Sequence, residues 1–225
     1  IDASLGRLQR NFVELYQLHN RIQSVGDKDN FSAKDILKRG GVADAMEKFK
    51  SDERIKSIGI TALGDIDAIN EVVLSDCFDV AQIYYNLLNP SASYNTSGNW
   101  NDHDFSNLIN NCISKDMGLM NIRIYAAGYL ATDKRHGREI PVTFGINENE
   151  LNRRVEKINS IFNDIKGTKA QKALRYGLSN KDMSTIVIGL ANIEHLEEAL
   201  EGYDQGHLDE ETLMKIEELQ NKNFY

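Results

Sequence analysis

The chain has 225 residues, 41% hydrophobic and 27% charged, which is the composition of a globular protein long enough to bury a core. Its 34 acidic residues outnumber the 26 Lys and Arg residues, so the formal net charge is −8 and the basic face that nucleic acid requires is not expected. The longest uncharged stretch, residues 80–101, is rich in Asn and Ser and is too polar to span a bilayer. We therefore expect neither a nucleic-acid partner nor a membrane anchor.

Cys77 and Cys112 are the two cysteines of the sequence. They show neither CxxC spacing nor a metal-binding pattern, so we interpret both as small core residues and predict no metal site. Two cysteines are too few for a disulfide framework, and no basic and then apolar leader begins the chain, so a cytoplasmic protein is expected. The first residue is Ile1 rather than Met, which indicates a fragment.

Short apolar runs rich in Val and Ile alternate with longer amphipathic stretches along the chain. The runs predict buried strands at residues 12–18, 55–61, 80–84, 119–124 and 185–189. The stretches between them carry one apolar stripe at helical spacing, as in residues 36–49 and 155–165. This alternation predicts an α/β protein with a parallel sheet in a single domain.

Polar residues mark several expected element ends. Ser32 and Asn147 precede helical stretches and are expected to cap them, and residues 209–223 predict a closing amphipathic helix. Residues 89–104 and 131–145 interrupt the pattern and predict loops that follow strands. The basic cluster Lys134-Arg135-His136-Arg138 in the second loop is interpreted as a solvated surface.

Five parallel strands fit either an open doubly wound sheet or part of an eight-stranded barrel. The strand pattern alone does not distinguish these two folds. Neither G-x-G-x-x-G after a strand nor G-x-x-x-x-G-K-[ST] occurs in the sequence, so the Gly-rich phosphate cradles are absent.

The strand ends resemble those of the aldo-keto reductases. Residues 11–20, NFVELYQLHN, are similar to the family's fourth barrel strand, D-Y-V-D-L-Y-Q-L-H, and residues 82–89, QIYYNLLN, to its sixth, Q-x-x-Y-N-L-L-N. Residues 41–61, 121–130 and 173–200 resemble, in order, the fifth, seventh and eighth strands with their helices. The resemblance implies an α/β fold of the (βα)8 TIM barrel type. Residues 1–225 would supply about its last five βα units as an N-terminally incomplete domain.

The resemblance also implies an oxidoreductase that transfers a hydride between NADP or NAD and a small-molecule carbonyl or alcohol, such as an aldehyde, ketone or sugar. His19 matches the catalytic His that orients the carbonyl as a neutral imidazole. In the family the first three strands carry the Asp, Tyr and Lys that act with this His. We therefore expect this chain alone to be inactive, and the sequence leaves its oligomeric state open.

The implied cofactor contacts lie at strand ends and in the helix after the last strand. Thr61 and Gln82 would hold the nicotinamide carboxamide, although Ala62 replaces the usual Asn. Ala191 replaces the Arg or Lys that pairs with the 2′-phosphate of NADP, so NAD is more open than usual. The other implied residues are Arg123, Ile124, Tyr125, Ala126, Gly189, Asn192 and Glu198 for the cofactor, and Tyr85 for the substrate pocket.

Two other interpretations are compatible with the sequence. A reductase-like subunit that senses cofactor or binds a partner without turnover would lack the Tyr and Lys upstream. A different barrel enzyme, such as an aldolase or isomerase, would need a Lys at a strand end for a Schiff base, and none of the five predicted strand ends has one.

Overall fold

The computed structural model describes residues 1–96, 98, 100–134 and 146–225. It contains two compact units, each described by itself: the first is Ile1–Ile83 with Ile109–Leu119, and the second is Tyr84–Leu108 with Met120–Tyr225. The single domain expected over residues 1–225 stays a prediction.

The elements that begin in the first unit are, in chain order, α1 (Asp2–Leu8), β1 (Val13–Leu18), β2 (Ile22–Gln23), β3 (Phe31–Ser32), α2 (Ala33–Leu37), α3 (Val42–Ser51), β4 (Ile55–Thr61), α4 (Ile66–Leu74), β5 (Val80–Tyr84) and β6 (Gly118–Ile122). Those that begin in the second unit are α5 (Leu108–Ser114), a short 3₁₀ turn (Ala126–Gly128), α6 (Glu148–Ile161), α7 (Lys169–Leu178), β7 (Thr185–Ile186), α8 (Ile193–Asp204) and α9 (Glu210–Asn221).

A parallel sheet organises the first unit, with β4 between β1 and β5. The predicted strands at 12–18, 55–61 and 80–84 are confirmed, and the short strands β2 and β3 were not expected. Ile58 and Ile60 on β4 are completely buried, and α3 packs against this strand. Gly118 at the start of β6 donates to the Asp79 carbonyl just before β5 at 2.9 Å. The parallel α/β class is therefore confirmed.

The helices of the first unit follow local capping rules. The Ser32 hydroxyl accepts a hydrogen bond from the Asp35 amide and donates one to the Asp35 carboxylate, so Ser32 caps α2 as predicted. Hydrogen bonds from the Ser32 hydroxyl and from the Lys38 ammonium lower the pKa of Asp35 to about 2. The single helical stretch expected over 36–49 is wrong, because α2 ends at Leu37 with an extended Lys38, and Gly40 follows with a φ of 72° before α3 begins.

The two cysteines of the first unit differ in exposure. Cys112 on α5 is buried, as predicted, but Cys77 is exposed. The expectation that Cys77 belongs to the core is therefore wrong. This residue lies in the turn between α4 and β5, directly after Asp76, which has a φ of 64°.

In the second unit β6 and β7 pair in parallel, with Met120 opposite Thr185 and Asn121 opposite Ile186. Both strands are shorter than predicted. Residues 119–124 were expected to be extended, but β6 ends at Ile122 because Arg123 adopts a φ of 62°. The run 185–189 forms only the two-residue strand β7.

Pairs of helices pack together in the second unit, α7 against α8 and α6 against α9. Asn147 caps α6 as predicted, and its side-chain oxygen accepts from the Glu150 amide at 2.9 Å. The expected closing helix is α9, with Asp209 as its cap. Within the ranges that the structure describes, no helix is long and apolar enough to cross a membrane.

Asn121 on β6 offers a test of this packing. Its side chain is fully buried, and among the described residues neither its amide oxygen nor its nitrogen has a hydrogen-bond partner. An unpaired buried amide costs about 1–3 kcal/mol, so we expect Asn121→Leu, which has nearly the same shape, to raise the free energy of unfolding by about that amount. Urea denaturation measures the change.

Asn86 is the matched control, because it is equally buried but hydrogen-bonded. Its side chain accepts from the amides of Leu88 and Asn89 and donates to the Arg123 carbonyl. Asn86→Leu should therefore destabilise the protein. Equal destabilisation by both substitutions would show that Asn121 is satisfied in solution.

Candidate functional site

A chain of polar side chains crosses the ends of three parallel strands in the first unit. The Thr61 hydroxyl donates to Oε1 of Gln82 at 2.9 Å, and Nε2 of Gln82 donates to Oε1 of Gln17 at 3.0 Å. Thr61 is 4% exposed, and the two glutamines are half-buried. These bonds fix which end of the Gln82 amide donates and which accepts.

The strand registers explain why these three side chains meet. Gln17 lies opposite Gly59, and Thr61 lies opposite Gln82. Side chains two residues apart on a strand share one face, so Gly59 and Thr61 lie on the same face of β4. A Cβ at Gly59 would stand 3.1 Å from Cγ of Gln17 and 2.9 Å from the Val80 carbonyl oxygen, so the glycine makes room for the amide chain.

Gln17 is a site residue for which the sequence predicts no role. Gln17 lies within the segment NFVELYQLHN, two residues before His19. This short distance from the predicted catalytic His is the feature of the sequence that points to Gln17. His19 itself is exposed and follows directly after β1. Ala62 is fully buried, and its amide donates to the Gln82 carbonyl at 3.0 Å.

The turn after β6 carries four of the predicted cofactor residues. Arg123 is exposed, Tyr125 is half-buried, and Ile124 and Ala126 are buried. Positive φ angles occur at Arg123, Ala126 and Ala127, a concentration of left-handed non-glycine residues of the kind found at functional sites. The Ala126 amide donates inside the turn to the Arg123 carbonyl at 2.9 Å.

The start of α8 carries three more predicted residues. Asn192 is the cap, and its side-chain oxygen accepts from the His195 amide at 3.0 Å. Gly189 and Ala191 are exposed, and a Cβ at Gly189 would meet no atom within 4 Å. The Ala191 amide donates to Nδ1 of His195 at 3.3 Å, so the side chain of His195 folds back over the first turn.

Two residues that were predicted to contact the cofactor, Tyr125 and Glu198, lie in different segments of the second unit. Burial raises the pKa of Tyr125 to about 12, and the negative charge of Glu198 on α8 contributes to the rise. The Glu198 backbone carbonyl accepts from Nε2 of Gln171 on α7 at 3.2 Å. Tyr125 in the turn after β6 therefore lies close enough to Glu198 on α8 for the charge of Glu198 to raise the pKa of Tyr125.

Tyr85, the predicted pocket residue, is 6% exposed. Its ring stacks on that of Tyr176 with centroids 5.2 Å apart and planes 13° from parallel. Tyr176 in turn accepts from Nε2 of Gln220 at 3.3 Å. Tyr85 thus belongs to a buried aromatic cluster, which favours a packing role over direct contact with substrate.

The described residues contain no cluster of three or more His, Cys, Asp or Glu that could hold a metal ion. Of the basic cluster at 134–138, only Lys134 is described, and the other members lie outside the described residues.

The parallel strands with helices between them define a parallel α/β protein. The Aldo/keto reductase family model matches residues 1–221. The chain belongs to the aldo/keto reductase family, whose fold is a (βα)8 barrel. Members of this family are oxidoreductases that generally use NAD(P)H and bind small-molecule carbonyl substrates.

Individual relatives agree with this assignment. An L-galactose dehydrogenase of Arabidopsis thaliana is 26% identical over 235 residues, covering 96% of this chain and 61% of the relative. The aldo-keto reductase AKR11C1 of Bacillus halodurans superposes with TM-scores of 0.70 in its holo form and 0.69 in its apo form. These two structures are 18% and 19% identical, and 97% of this chain matches 65% and 66% of theirs. The chain thus spans less than two thirds of the curated relative.

The pKa of Tyr85 leads to a prediction on alkaline stability. Burial raises this pKa to about 12, whereas an exposed Tyr ionises near pH ~10. The neutral phenol therefore stabilises the fold fully below pH ~10, and this contribution is lost as the pH rises through the folded value. Between these limits we expect the free energy of unfolding of Tyr85→Phe to fall less steeply than that of the wild type, by up to ~1.4 kcal/mol per pH unit.

Urea denaturation at a series of alkaline pH values measures these slopes. Tyr203→Phe is the matched control, because Tyr203 is 63% exposed and its removal should leave the slope unchanged. Equal slopes for Tyr85→Phe and the wild type would contradict the prediction.

Proposed function

We propose that this chain binds nicotinamide cofactor in an NAD(P)-dependent oxidoreductase that acts on a carbonyl or alcohol group of a small molecule. The observation that carries the proposal is the hydrogen-bonded chain of Thr61, Gln82 and Gln17 at the ends of three parallel strands. Barrel enzymes place their chemistry at these carboxyl ends. Family membership supports the same class of reaction.

The donor set of the first unit fits a nicotinamide ring. A carboxamide carries one acceptor oxygen and two N–H donors, and a side-chain amide offers the complementary groups. Because Gln82 is held from both sides by Thr61 and Gln17, its remaining donor and acceptor have fixed directions. When bound, the cofactor would supply or accept the hydride, and this amide chain would determine which ring face is presented.

His19 is the residue that we propose to orient the substrate carbonyl. It follows β1 directly and is exposed to solvent, so a substrate can reach it. A neutral imidazole can donate one N–H to a carbonyl oxygen and polarise it. In this role His19 positions the substrate and does not itself supply the proton that completes reduction.

The second unit offers groups that fit the adenosine and phosphate end of such a cofactor. The first turn of α8 presents backbone N–H groups and the positive end of the helix dipole, beside exposed Gly189 and Ala191. The left-handed residues after β6 shape a turn in which small Ala126 and Ala127 allow close approach of a ligand. We propose that Arg123 contacts the cofactor or the substrate. The residues proposed to contact the adenosine and phosphate end are Ile124, Tyr125, Ala126, Gly189, Ala191, Asn192 and Glu198.

The residues at α8 favour NAD over NADP. Ala191 is exposed and has no charge to pair with a 2′-phosphate, while Glu194 lies in the first turn of the same helix and Glu198 one turn later. Carboxylates near a phosphate monoester raise the cost of binding it. NAD carries no 2′-phosphate and avoids this repulsion.

We further propose that the five parallel strands β1, β4, β5, β6 and β7 correspond to the last five βα units of the barrel. Five sequence segments resemble the family's later strands in the same order. The relatives and neighbours, of which this chain matches 61–66%, are compatible with this share. The expected cytoplasmic location stays a prediction.

Titration with NADH and NADPH tests cofactor binding. The fluorescence of Trp100, the single Trp of the chain, should fall saturably with NADH and respond less to NADPH. Thr61→Val removes the hydroxyl that orients Gln82 and should weaken NADH binding about tenfold, the effect of losing one hydrogen bond. Gln82→Ala should abolish the response.

Thr61→Ser is the matched control for this experiment. It keeps the hydroxyl that donates to Gln82, and NADH affinity should stay close to that of the wild type. An absence of quenching by either nucleotide would refute the cofactor proposal.

A gain-of-function substitution tests the preference for NAD. Ala191→Arg places a guanidinium at the start of α8, where it can form a charge-assisted pair with a 2′-phosphate. We expect NADPH affinity to rise about tenfold or more, with NADH affinity little changed. Leu190→Arg is the control, because it adds the same charge at the neighbouring exposed position. Equal gains from both variants would indicate nonspecific attraction.

A further inference from the structure

Arg154 on α6 is a charged side chain with no exposed surface. It lies beside the loop that connects β5 to α5, residues 85–107, which we call the β5–α5 loop. Burying a guanidinium is costly unless its N–H groups find partners, so its contacts show what it holds in place.

The N–H groups of Arg154 reach four separate segments of the second unit. Nη1 donates to the Leu88 carbonyl at 3.0 Å, and Nη2 donates both to the side chain of Asn101 and to that of Asn223. Nε donates to Glu150 on its own helix at 3.3 Å. One guanidinium therefore joins both halves of the β5–α5 loop to α6 and to the segment after α9.

Charges and rings complete the surroundings of Arg154. A carboxylate oxygen of Asp102 lies 3.5 Å from Nη1, with both side chains almost fully buried. The guanidinium carbon lies 4.7 Å from the ring centroid of Trp100 and 4.6 Å from that of Phe224. Arg154 thus contacts three consecutive loop residues, Trp100, Asn101 and Asp102, as well as the C-terminal segment.

Other residues hold the base of the β5–α5 loop. Asn89 donates to the His103 carbonyl at 2.8 Å and accepts from the Ser91 hydroxyl at 2.6 Å. Gln220 on α9 donates to the Leu87 carbonyl at 2.9 Å and accepts from the Tyr94 hydroxyl at 2.6 Å. The base of the loop therefore has its own hydrogen bonds, whereas the segment 100–102 is in direct contact with Arg154.

We propose that Arg154 is the positioning residue of the β5–α5 loop and docks its segment 100–102, together with the C-terminal residues after α9, onto α6. A planar fork of five N–H groups suits this task, because a Lys ammonium has three donors and cannot bond to so many separate acceptors. Buried ion pairs contribute little net stability in general, but a charge with several fixed partners specifies one arrangement.

The conformation of this loop would affect which substrates are accepted, and this part of the inference rests on the proposed function. The loop leaves the carboxyl end of β5, where barrel enzymes carry the loops that select substrates. It begins at Tyr85, whose ring stacks on that of Tyr176. By fixing the loop, Arg154 would influence substrate selection without touching the substrate itself.

Trp100 reports directly on loop docking, because it is the single Trp of the chain and lies against Arg154. In Arg154→Ala we expect Trp100 emission to shift to longer wavelength and acrylamide quenching to increase. Amide hydrogen exchange in residues 100–105 should accelerate about a hundredfold, the factor for losing two charge-assisted hydrogen bonds. Arg154→Lys keeps the charge but lacks the fork and should behave more like Arg154→Ala than like the wild type.

Chemical rescue separates positioning from a general loss of stability. A guanidinium salt at a non-denaturing concentration should restore the wild-type Trp100 emission of Arg154→Ala, while an equal concentration of ammonium should not. Lys157→Ala is the matched control, since Lys157 is an exposed cation on the same helix and should leave Trp100 unchanged. A folded Arg154→Ala protein with wild-type Trp100 emission and exchange would overturn the proposal.

Asn101→Leu keeps the proposal testable if Arg154→Ala fails to fold. This variant removes the loop's acceptor and leaves Arg154 with its other partners, so the same change in Trp100 emission is expected. Wild-type emission in folded Asn101→Leu would overturn the proposal.

Calorimetric titration with NADH distinguishes failure of this inference from failure of the proposed function. Arg154→Ala should bind NADH as the wild type does, because Arg154 is not among the proposed cofactor contacts. If the wild type does not bind NADH, the proposed function fails, and the Trp100 measurements still decide whether Arg154 positions the loop.

Discussion

The parallel register of β1, β4 and β5 is the constraint on which the candidate site depends. Thr61 can donate to Gln82, and Gln82 to Gln17, only while Thr61 faces Gln82 and Gln17 faces Gly59. A slip by one residue would turn these side chains to the opposite face of the sheet. The buried isoleucines of β4 prevent such a slip, because it would move them out of the core. Burial of the isoleucines on one face of β4 thus fixes the positions of the hydrogen-bonded polar side chains on the other face.

Long connections in the second unit depend instead on buried polar side chains. Asn86, Gln171, Gln220 and Arg154 are each at most 4% exposed, and each bonds to backbone groups of another segment. Such groups are stabilising only when their partners are present, so each specifies a single conformation of the connection it holds. In the part of the second unit that the structure describes, these bonds therefore hold the loop after β5 and the turn after β6 in one arrangement.

The sequence predicted the features that depend on local pattern. Strands β1, β4 and β5 and the caps Ser32 and Asn147 follow from burial periodicity and capping chemistry. The end of β6 could not be predicted from local pattern. Ile124 continues the apolar pattern, but the left-handed conformation of Arg123 ends the strand. The roles of Gln17 and Arg154 depend on partners tens of residues away along the chain, and periodicity carries no information about such partners. Family resemblance supplied the candidate residues, and the structure shows which of them meet inside each unit.

The carboxylates of Glu194 and Glu198 on α8 bear on the choice between NAD and NADP. Ala191, two residues before the first residue of α8, is uncharged and exposed, and its amide donates to Nδ1 of His195. A phosphate monoester at this end would have to displace His195 and approach Glu194 and Glu198, with no Lys or Arg in the first turn of α8 to offset their charge. The 2′-hydroxyl of NAD would need only a hydrogen-bond acceptor, and the adjacent carboxylates can provide one. In the proposed binding mode, the acidic residues that would repel a 2′-phosphate are therefore compatible with NAD.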